Sequence, residues 1–223
     1  MMKKSKFLAL ALIFALMLTA IGGLSAAVGA ETSSLLTADE MAANPDKMLP
    51  DYGYSGTDVV IRVDNGIIYP NSGSKFYYND EVEGVDLSLK VLEGNNLGIT
   101  LRATAQGAFW SGSMGYALFL NGTSYNIWRV DAPGDTTWDD SPVANGTLPG
   151  NPFDGRLHRI AYSAVENDEN KAVISFSFDG VEVCTVTEEA DPLPIAGTEF
   201  KIDSVNGTLR YEIHTSQAPA EEP

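Results

Sequence analysis

The sequence predicts an all-β, antiparallel two-sheet sandwich preceded by an N-terminal signal helix. Short β-rich runs that alternate apolar and polar residues fill the chain between residues 57 and 213. Such alternation is typical of antiparallel strands with one buried face. Asn-Gly and Asp-Gly pairs separate several of these runs, and they favour tight hairpins because both central residues of a type I′ turn need positive φ. The sequence shows no long amphipathic helix after residue 50.

Residues 1–30 have the three-part pattern of a secretory signal peptide. Lys3, Lys4 and Lys6 form a positive start, an apolar run covers residues 7–18, and small residues lead up to Ala30. Cleavage is expected after Ala30. The apolar run is shorter than the roughly 20 residues of a spanning helix, although an uncleaved anchor remains the alternative. We therefore expect a secreted, extracellular protein, bacterial in character, with no membrane insertion after cleavage.

The charge balance limits the classes of partner. The chain of 223 residues has a net charge of −16. Residues 1–30 contain three basic and no acidic residues, which leaves a net charge of −19 for the remainder. An acidic surface repels phosphate backbones, so a nucleic acid is not expected as a partner. Cys184 is the only cysteine, so no disulfide can form within the chain, and its strand context predicts a small buried side chain.

Four regions follow from composition and pattern. They are the signal peptide 1–30, a lead-in segment 31–54, a sandwich domain 55–215 and a flexible tail 216–223. In the lead-in, Thr37 and Glu40 predict the capped start of a short helix that ends at Asn44 and Pro45. Strands are predicted over residues 57–63, 85–92, 97–104, 116–121, 124–130, 157–165, 172–179, 181–187 and 209–213. Hairpins are expected at Asn65-Gly66, Asn121-Gly122 and Asp179-Gly180.

Three short motifs carry a resemblance to a known superfamily. The run DGRLHRI at 154–160 resembles the pattern G-x-W-H-x-V, and ISFSFDG at 174–180 resembles I-x-V-Y-V-D-G. Before them, GYALFLN at 115–121 and YNIWR at 125–129 resemble a paired hairpin. Together they resemble the concanavalin A-like lectin/glucanase superfamily, which includes laminin G-like domains, over about residues 55–215. Leu157 departs from the pattern, because the family usually has Trp there. The resemblance implies a jelly-roll sandwich.

Aromatic residues outside the expected core give the best indication of a binding site. Trp110 lies in a Gly/Ser-rich turn, Trp128 in a predicted strand and Trp138 in an acidic loop. Indole rings stack on the flat C–H faces of sugars, and Asn126, Arg129 and Asp131 could bond their hydroxyls. The alternative is that Trp128 belongs to the core and that the other two rings cover loop edges. The sequence thus predicts a non-catalytic, lectin-like module that binds a glycan or cell-surface polysaccharide.

Calcium is the one cofactor that the sequence leaves open. Asp131, Asp135, Asp139 and Asp140 crowd one loop, and calcium prefers several carboxylate and carbonyl oxygens. Relatives of the resembled superfamily often hold calcium at the edge of the sandwich. The loop has no EF-hand pattern, and hydration alone is the alternative. The expectation is therefore either no cofactor or calcium at these four residues.

Two further function classes remain open. A glycoside hydrolase or lyase of the same superfamily needs a pair of carboxylates, and the nearest match is Glu81, Glu83 and Asp86. Gly84 interrupts that pattern, and a solvated turn explains it as well, so we assign no catalytic residue. A structural or adhesive cell-surface module would need only an exposed patch. His158, one of two histidines, is expected to make a structural hydrogen bond.

Overall fold

The fold was analysed in a computed structural model. The structure describes residues 35–50, 61–70, 76–103, 114–130, 142–201 and 209–220. Ser34–Pro223 forms one compact unit. The predicted signal peptide lies outside the described residues, and within them no helix is long and apolar enough to cross a bilayer.

One short α-helix and one 3₁₀ turn precede most of the strands. The helix α1 covers Ala38–Ala43, and the 3₁₀ turn covers Pro45–Lys47. Thr37 caps α1 as predicted: its hydroxyl accepts the Glu40 backbone N–H at 3.3 Å, and the Glu40 carboxylate accepts the Thr37 backbone N–H at 2.8 Å. This reciprocal pair satisfies two donors that a helix start otherwise leaves unpaired.

Fifteen strands make up the described part of the sandwich. They are β1 Leu36–Thr37, β2 Met48–Pro50, β3 Arg62–Asp64, β4 Ile67–Tyr69, β5 Phe76–Tyr78, β6 Gly84–Glu93, β7 Asn96–Ala103, β8 Gly115–Asn121, β9 Ser124–Val130, β10 Ala144–Thr147, β11 Leu157–Glu166, β12 Ala172–Phe178, β13 Val181–Thr187, β14 Gly197–Lys201 and β15 Arg210–His214. The eight longer runs predicted from residue 85 onward are thus confirmed, with bounds that differ by at most one residue.

The strands form two sheets, as predicted. One has eight strands in the order β13-β12-β11-β6-β15-β4-β3, with β1 added beside β6. The other has seven in the order β10-β9-β8-β7-β14-β5-β2. The pairing of β1 with β6 is parallel, and the other described pairs are antiparallel. Part of the segment 31–54, predicted as a lead-in, therefore contributes a strand to each sheet.

The predicted hairpin turns are present. Asn65-Gly66 and Asp179-Gly180 have positive φ at both residues, with 50° and 74° at the first pair and 51° and 76° at the second. These values fit a type I′ turn, which matches the right-handed twist of the strands on either side. The third predicted hairpin is present one residue further on: Asn121 pairs with Ser124, so the turn between β8 and β9 consists of Gly122 and Thr123.

The core lies between the two sheets. Ile174, Phe176 and Phe178 are buried on one face of β12, as expected, and the intervening Ser175 and Ser177 face outward. Cys184 is half-buried rather than fully enclosed, and burial raises the pKa of its thiol.

Successive residues of a strand point to opposite faces, so the strand pattern predicts that one of Tyr77 and Tyr78 is exposed; this is wrong, because both are buried. Tyr78 packs in the core, and Tyr77 on the other face of β5 is only 8% exposed. The Tyr77 hydroxyl donates to the Ala103 carbonyl oxygen at 3.1 Å and accepts the Gly197 N–H at 3.1 Å. Its ring therefore lies across neighbouring strands instead of pointing into solvent.

Candidate functional site

The outer face of the seven-stranded sheet has an uncharged strip at the strands β8, β9 and β10. Successive residues of a strand point to opposite faces, and Tyr125 and Ile127 of β9 are buried in the core. Residues at the alternate positions of β9, and their register partners on both sides, therefore share the outer face. We call them the amide strip: Phe119, Asn121, Ser124, Asn126, Trp128, Asn145 and Thr147.

The strip combines aromatic rings with amide and hydroxyl groups. Asn126 lies between Phe119 of β8 and Asn145 of β10, its two register partners. Trp128 lies opposite Ala117, whose single methyl group leaves room for the indole beside it. Asn126, Trp128 and Phe119 are half-buried, and Asn145 is exposed. The strip therefore presents aromatic surface and several polar groups to a ligand, and none of its side chains carries a charge.

Two predicted site segments are attached at one end of this strip. Strand β7 ends at Ala103, β8 begins at Gly115, and β9 ends at Val130. Leu101 pairs with Tyr116, and Gly115 pairs with Val130, so these three strand ends are neighbours. The chain that carries Trp110 leaves β7 and returns to β8 here, and the chain that carries Trp138 leaves β9 here.

Arg129 does not share the face of Asn126 and Trp128. Arg129 lies two residues after Ile127 and therefore points to the same side of β9 as that core residue. Its guanidinium donates to the Tyr116 hydroxyl oxygen at 3.1 Å. The arginine also lies over the Tyr116 ring, 5.8 Å from the centroid. Burial raises the pKa of the Tyr116 phenol. The structure thus brings together two of the predicted ligand-binding residues and directs the third toward the inside of the sheet.

The other predicted ligand residues lie outside the described part of the chain. These are Trp110, Trp138 and Asp131, together with Asp135, Asp139 and Asp140 of the predicted calcium site. In the described ranges, no three His, Cys, Asp or Glu side chains are grouped so that they could hold a metal ion. The calcium site stays a prediction.

A fully buried arginine joins the two sheets near the same strand ends. Arg102 has a φ of 55°, and it lies in a β-bulge where Leu101 and Arg102 together face Thr198 of β14. A bulge bends its strand and turns a side chain to a new direction. Here it directs Arg102 inward, where Nε donates to the Ala164 carbonyl oxygen of β11 at 2.9 Å.

Two carboxylates and a second carbonyl complete the contacts of this guanidinium. Arg102 donates to Glu166 at 2.9 Å, to Glu83 at 3.4 Å and to the Leu193 carbonyl oxygen. The Leu193 N–H in turn donates to the Tyr116 hydroxyl oxygen at 3.4 Å. Sequence reasoning missed Arg102, because its inward direction depends on a register shift against a strand about 95 residues further on.

No family model matches the chain, and no curated protein matches it significantly. Solved structures do match. A legume lectin-like domain from Entamoeba histolytica is 15% identical with a TM-score of 0.50, over 70% of this chain and 85% of that one. The potassium-bound carbohydrate recognition domain of Emp46p is 14% identical with a TM-score of 0.50, over 75% of this chain and 93% of that one.

The chain has the concanavalin A-like fold. A prokaryotic β-1,3-1,4-glucanase from a mouse hindgut metagenome is similar too, at 10% identity over 75% of this chain and 91% of that one. Its TM-score is 0.47. Identities this small establish the fold and leave function to the residues of this chain.

The carboxylates of the alternative catalytic pattern do not converge in this concanavalin A-like sandwich. Asp86 binds Arg159 through two hydrogen bonds of 2.8 and 2.6 Å on the outer face of the eight-stranded sheet. Glu83 instead reaches Arg102 between the sheets. Glu81 lies in the exposed connection before β6. The three acids therefore point to different places rather than flanking one cleft.

His158 makes structural contacts at the end of β11. Its Nδ1 lies 2.8 Å from Asp179 and its Nε2 lies 2.8 Å from Asp154, while the ring stacks on Phe178 at 4.9 Å. Burial lowers the pKa of His158, but hydrogen bonds and charges from Asp179 and Asp154 outweigh it and raise the pKa. Hydrogen bonds from Arg156 and His158 hold the pKa of Asp154 well below its usual range. Two of the three motifs that carry the resemblance, 154–160 and 174–180, thus meet at this imidazole.

Proposed function

We propose that this protein is an exported module that binds neutral glycans without cleaving them, through the amide strip and the adjoining segments that carry Trp110 and Trp138. The proposal rests on the side chains of the amide strip. A chain with a net charge of −16 has a patch of aromatic, amide and hydroxyl side chains without a charge. A ligand for such a patch is uncharged and rich in hydroxyl groups.

The groups of the strip match the two surfaces of a sugar ring. An indole or phenyl face packs on the axial C–H groups of a pyranose, while Asn and Ser side chains exchange hydrogen bonds with its hydroxyls. Stacking on an aromatic residue is worth about 1–3 kcal/mol by analogy with nucleobases. The acidic remainder of the surface repels sulfated or uronic polysaccharides, which favours neutral ligands.

The compared structures support the same ligand class. The Emp46p domain is a carbohydrate recognition domain, and the amoebic domain is lectin-like. The shared fold supports a sugar site through its geometry alone. Function depends on the side chains that a chain places on the fold. The proposal has two further parts. Calcium stabilises the segment that contains Trp138 by binding to Asp131, Asp135, Asp139 and Asp140. The protein is exported after cleavage at Ala30.

Two alternatives lead to different measurements. A hydrolase would release reducing ends from a polysaccharide. The carboxylates of Glu83 and Asp86 are paired with arginines, which argues against their roles as acid and nucleophile. A purely adhesive or structural module would bind a surface without depending on Trp128.

A glycan array followed by calorimetry with neutral β-glucans, mannans and galactans tests the proposal. Trp128→Ala should weaken binding about tenfold. Asn126→Ala should weaken it a few fold, as the loss of one hydrogen bond implies. Val181→Ala is the matched control, because Val181 is 52% exposed on the other sheet. Far-UV circular dichroism checks that each variant is folded.

The proposal fails if no neutral glycan binds with or without calcium. It also fails if Trp128→Ala binds like Val181→Ala while remaining folded. Release of reducing sugar by the intact protein would favour the hydrolase alternative.

A further inference from the structure

A polar cavity lies far from the amide strip. It has a volume of about 260 Å³ and opens between α1, the 3₁₀ turn and the connection from β5 to β6. Strands β5 and β2 are at one edge of the seven-stranded sheet, and β10 is at the opposite edge. The cavity is smaller than the roughly 300–1,000 Å³ of pockets for drug-sized ligands, so its occupant would be compact.

The cavity is acidic although it contains a lysine. Glu40, Lys47, Asp80 and Glu81 line it, which gives a net charge of −2 when all four are ionised. The Lys47 ammonium is already paired with the Asp80 carboxylate. One Glu40 oxygen accepts from Thr37, which leaves its other oxygen available. The Glu81 side chain makes no hydrogen bond or ion pair with the described residues. Two carboxylates are therefore left to bind an added positive charge.

A tyrosine side chain also lines the cavity. Tyr78 lines the cavity and is only 1% exposed, and its hydroxyl has no hydrogen-bond partner among the described residues. Burial raises the pKa of the Tyr78 phenol, and the charges of Lys47, Asp80 and Glu40 also act on it. Because the hydroxyl makes no hydrogen bond with the described residues, it is available to a donor group of a ligand.

We propose that this cavity binds a compact organic cation, with a primary ammonium group held by the carboxylates of Glu81 and Glu40 and by the hydroxyl of Tyr78. An ammonium group has three N–H donors and no acceptor, which suits an acceptor-rich lining. The Asn44 side-chain amide donates to the Glu40 carbonyl oxygen at 2.8 Å. Its own oxygen can then accept from a hydroxyl of the ligand. The site does not depend on the proposed glycan binding at the strip.

The test compares two sugars that differ in charge. D-glucosamine carries an ammonium group, whereas N-acetyl-D-glucosamine is neutral and of similar shape. Each is titrated into the ¹⁵N-labelled protein and followed by amide chemical shifts and calorimetry. Glucosamine should bind and shift the amides of residues 36–47 and 78–82, while the neutral sugar should leave those amides unchanged. Added salt should weaken the binding, because the attraction between charges is screened.

Variants separate the cavity from other acidic surface. Glu81→Gln should weaken glucosamine binding about tenfold, as expected for the loss of a charge-assisted contact. Tyr78→Phe should weaken it a few fold. Glu93→Gln is the matched control, because Glu93 is an exposed carboxylate at the far end of β6. Trp128→Ala should not change glucosamine binding at the cavity, so a failure here and a failure of glycan binding are distinguishable.

Three outcomes would overturn the proposal. The first is that glucosamine does not bind, and the second is that both sugars bind equally at these residues. The third is that Glu81→Gln, which alters an exposed side chain and leaves the core intact, behaves like Glu93→Gln.

Discussion

Replacement of Phe176 by alanine tests the orientation of both sheets. The ring is 1% exposed and makes edge-to-face contacts with Tyr125 of the opposite sheet at 5.4 Å and with Tyr162 of its own sheet at 6.4 Å. Phe→Ala changes in a core cost about 3–5 kcal/mol, and an aromatic pair contributes about 0.5–1.5 kcal/mol beyond burial. Because Phe176 touches both sheets, we expect a loss of about 4–5 kcal/mol in the free energy of unfolding.

That loss is large against the total stability of about 5–15 kcal/mol that is typical of a domain. For a chain of this size it corresponds to a fall in Tm of about 8–20 °C. Urea unfolding followed by near-UV and far-UV circular dichroism measures it. Val181→Ala is the control and should remain within about 0.5 kcal/mol of the parent. A loss below about 1 kcal/mol at Phe176 would mean that this face of β12 meets solvent, and the assignment of inner and outer faces would be inverted.

Three further predictions follow from other parts of the molecule. The pKa of His158 is raised in the folded protein, so its ion pairs stabilise the fold below the usual pKa of 6.5, and this contribution is lost as pH rises through the folded value. The free energy of unfolding of His158→Asn should therefore change less with pH above 6.5 than that of the parent. Equal slopes for the two proteins would refute the charged imidazole. Arg102→Met leaves two carbonyl oxygens and two carboxylates without their donor, so urea unfolding should show a loss of about 2–4 kcal/mol in the free energy of unfolding, and a loss under about 1 kcal/mol would contradict the contacts described. N-terminal sequencing of the exported protein should begin at or near Glu31, and a protein that retains Met1 in the membrane would contradict the signal peptide.

The longer strands could be predicted because their pattern is local. Strands β11 and β12 alternate buried and outward residues, and the Asp179-Gly180 turn fixes the start of β13. Strands β5 and β14 were missed for a physical reason. Tyr78 faces the core and the Tyr77 ring lies against Gly197 of β14, so both are buried, and a short run of large aromatic residues shows no alternation.

The candidate site was only partly predictable. Period two puts Asn126 and Trp128 on one face and Arg129 on the other, so the separation of the three residues was available from the strand pattern alone. The partners Phe119 and Asn145 could not be found in this way, because they depend on the register of β9 with β8 and β10. Arg102 also depends on distant pairing.

The C-terminal turn after β15 also has a consequence for engineering. The Ser216 N–H and hydroxyl bind the Asp39 carboxylate in the first turn of α1, with the hydroxyl at 2.9 Å. The first and last elements of the described sandwich are therefore in contact. A circular permutant that joins them through a short polar linker, with new ends at the exposed Gly122 turn, should fold. In that arrangement a fusion partner or a surface tether leaves the molecule next to the amide strip, whereas in the native order the turn after β15 leads away beside α1.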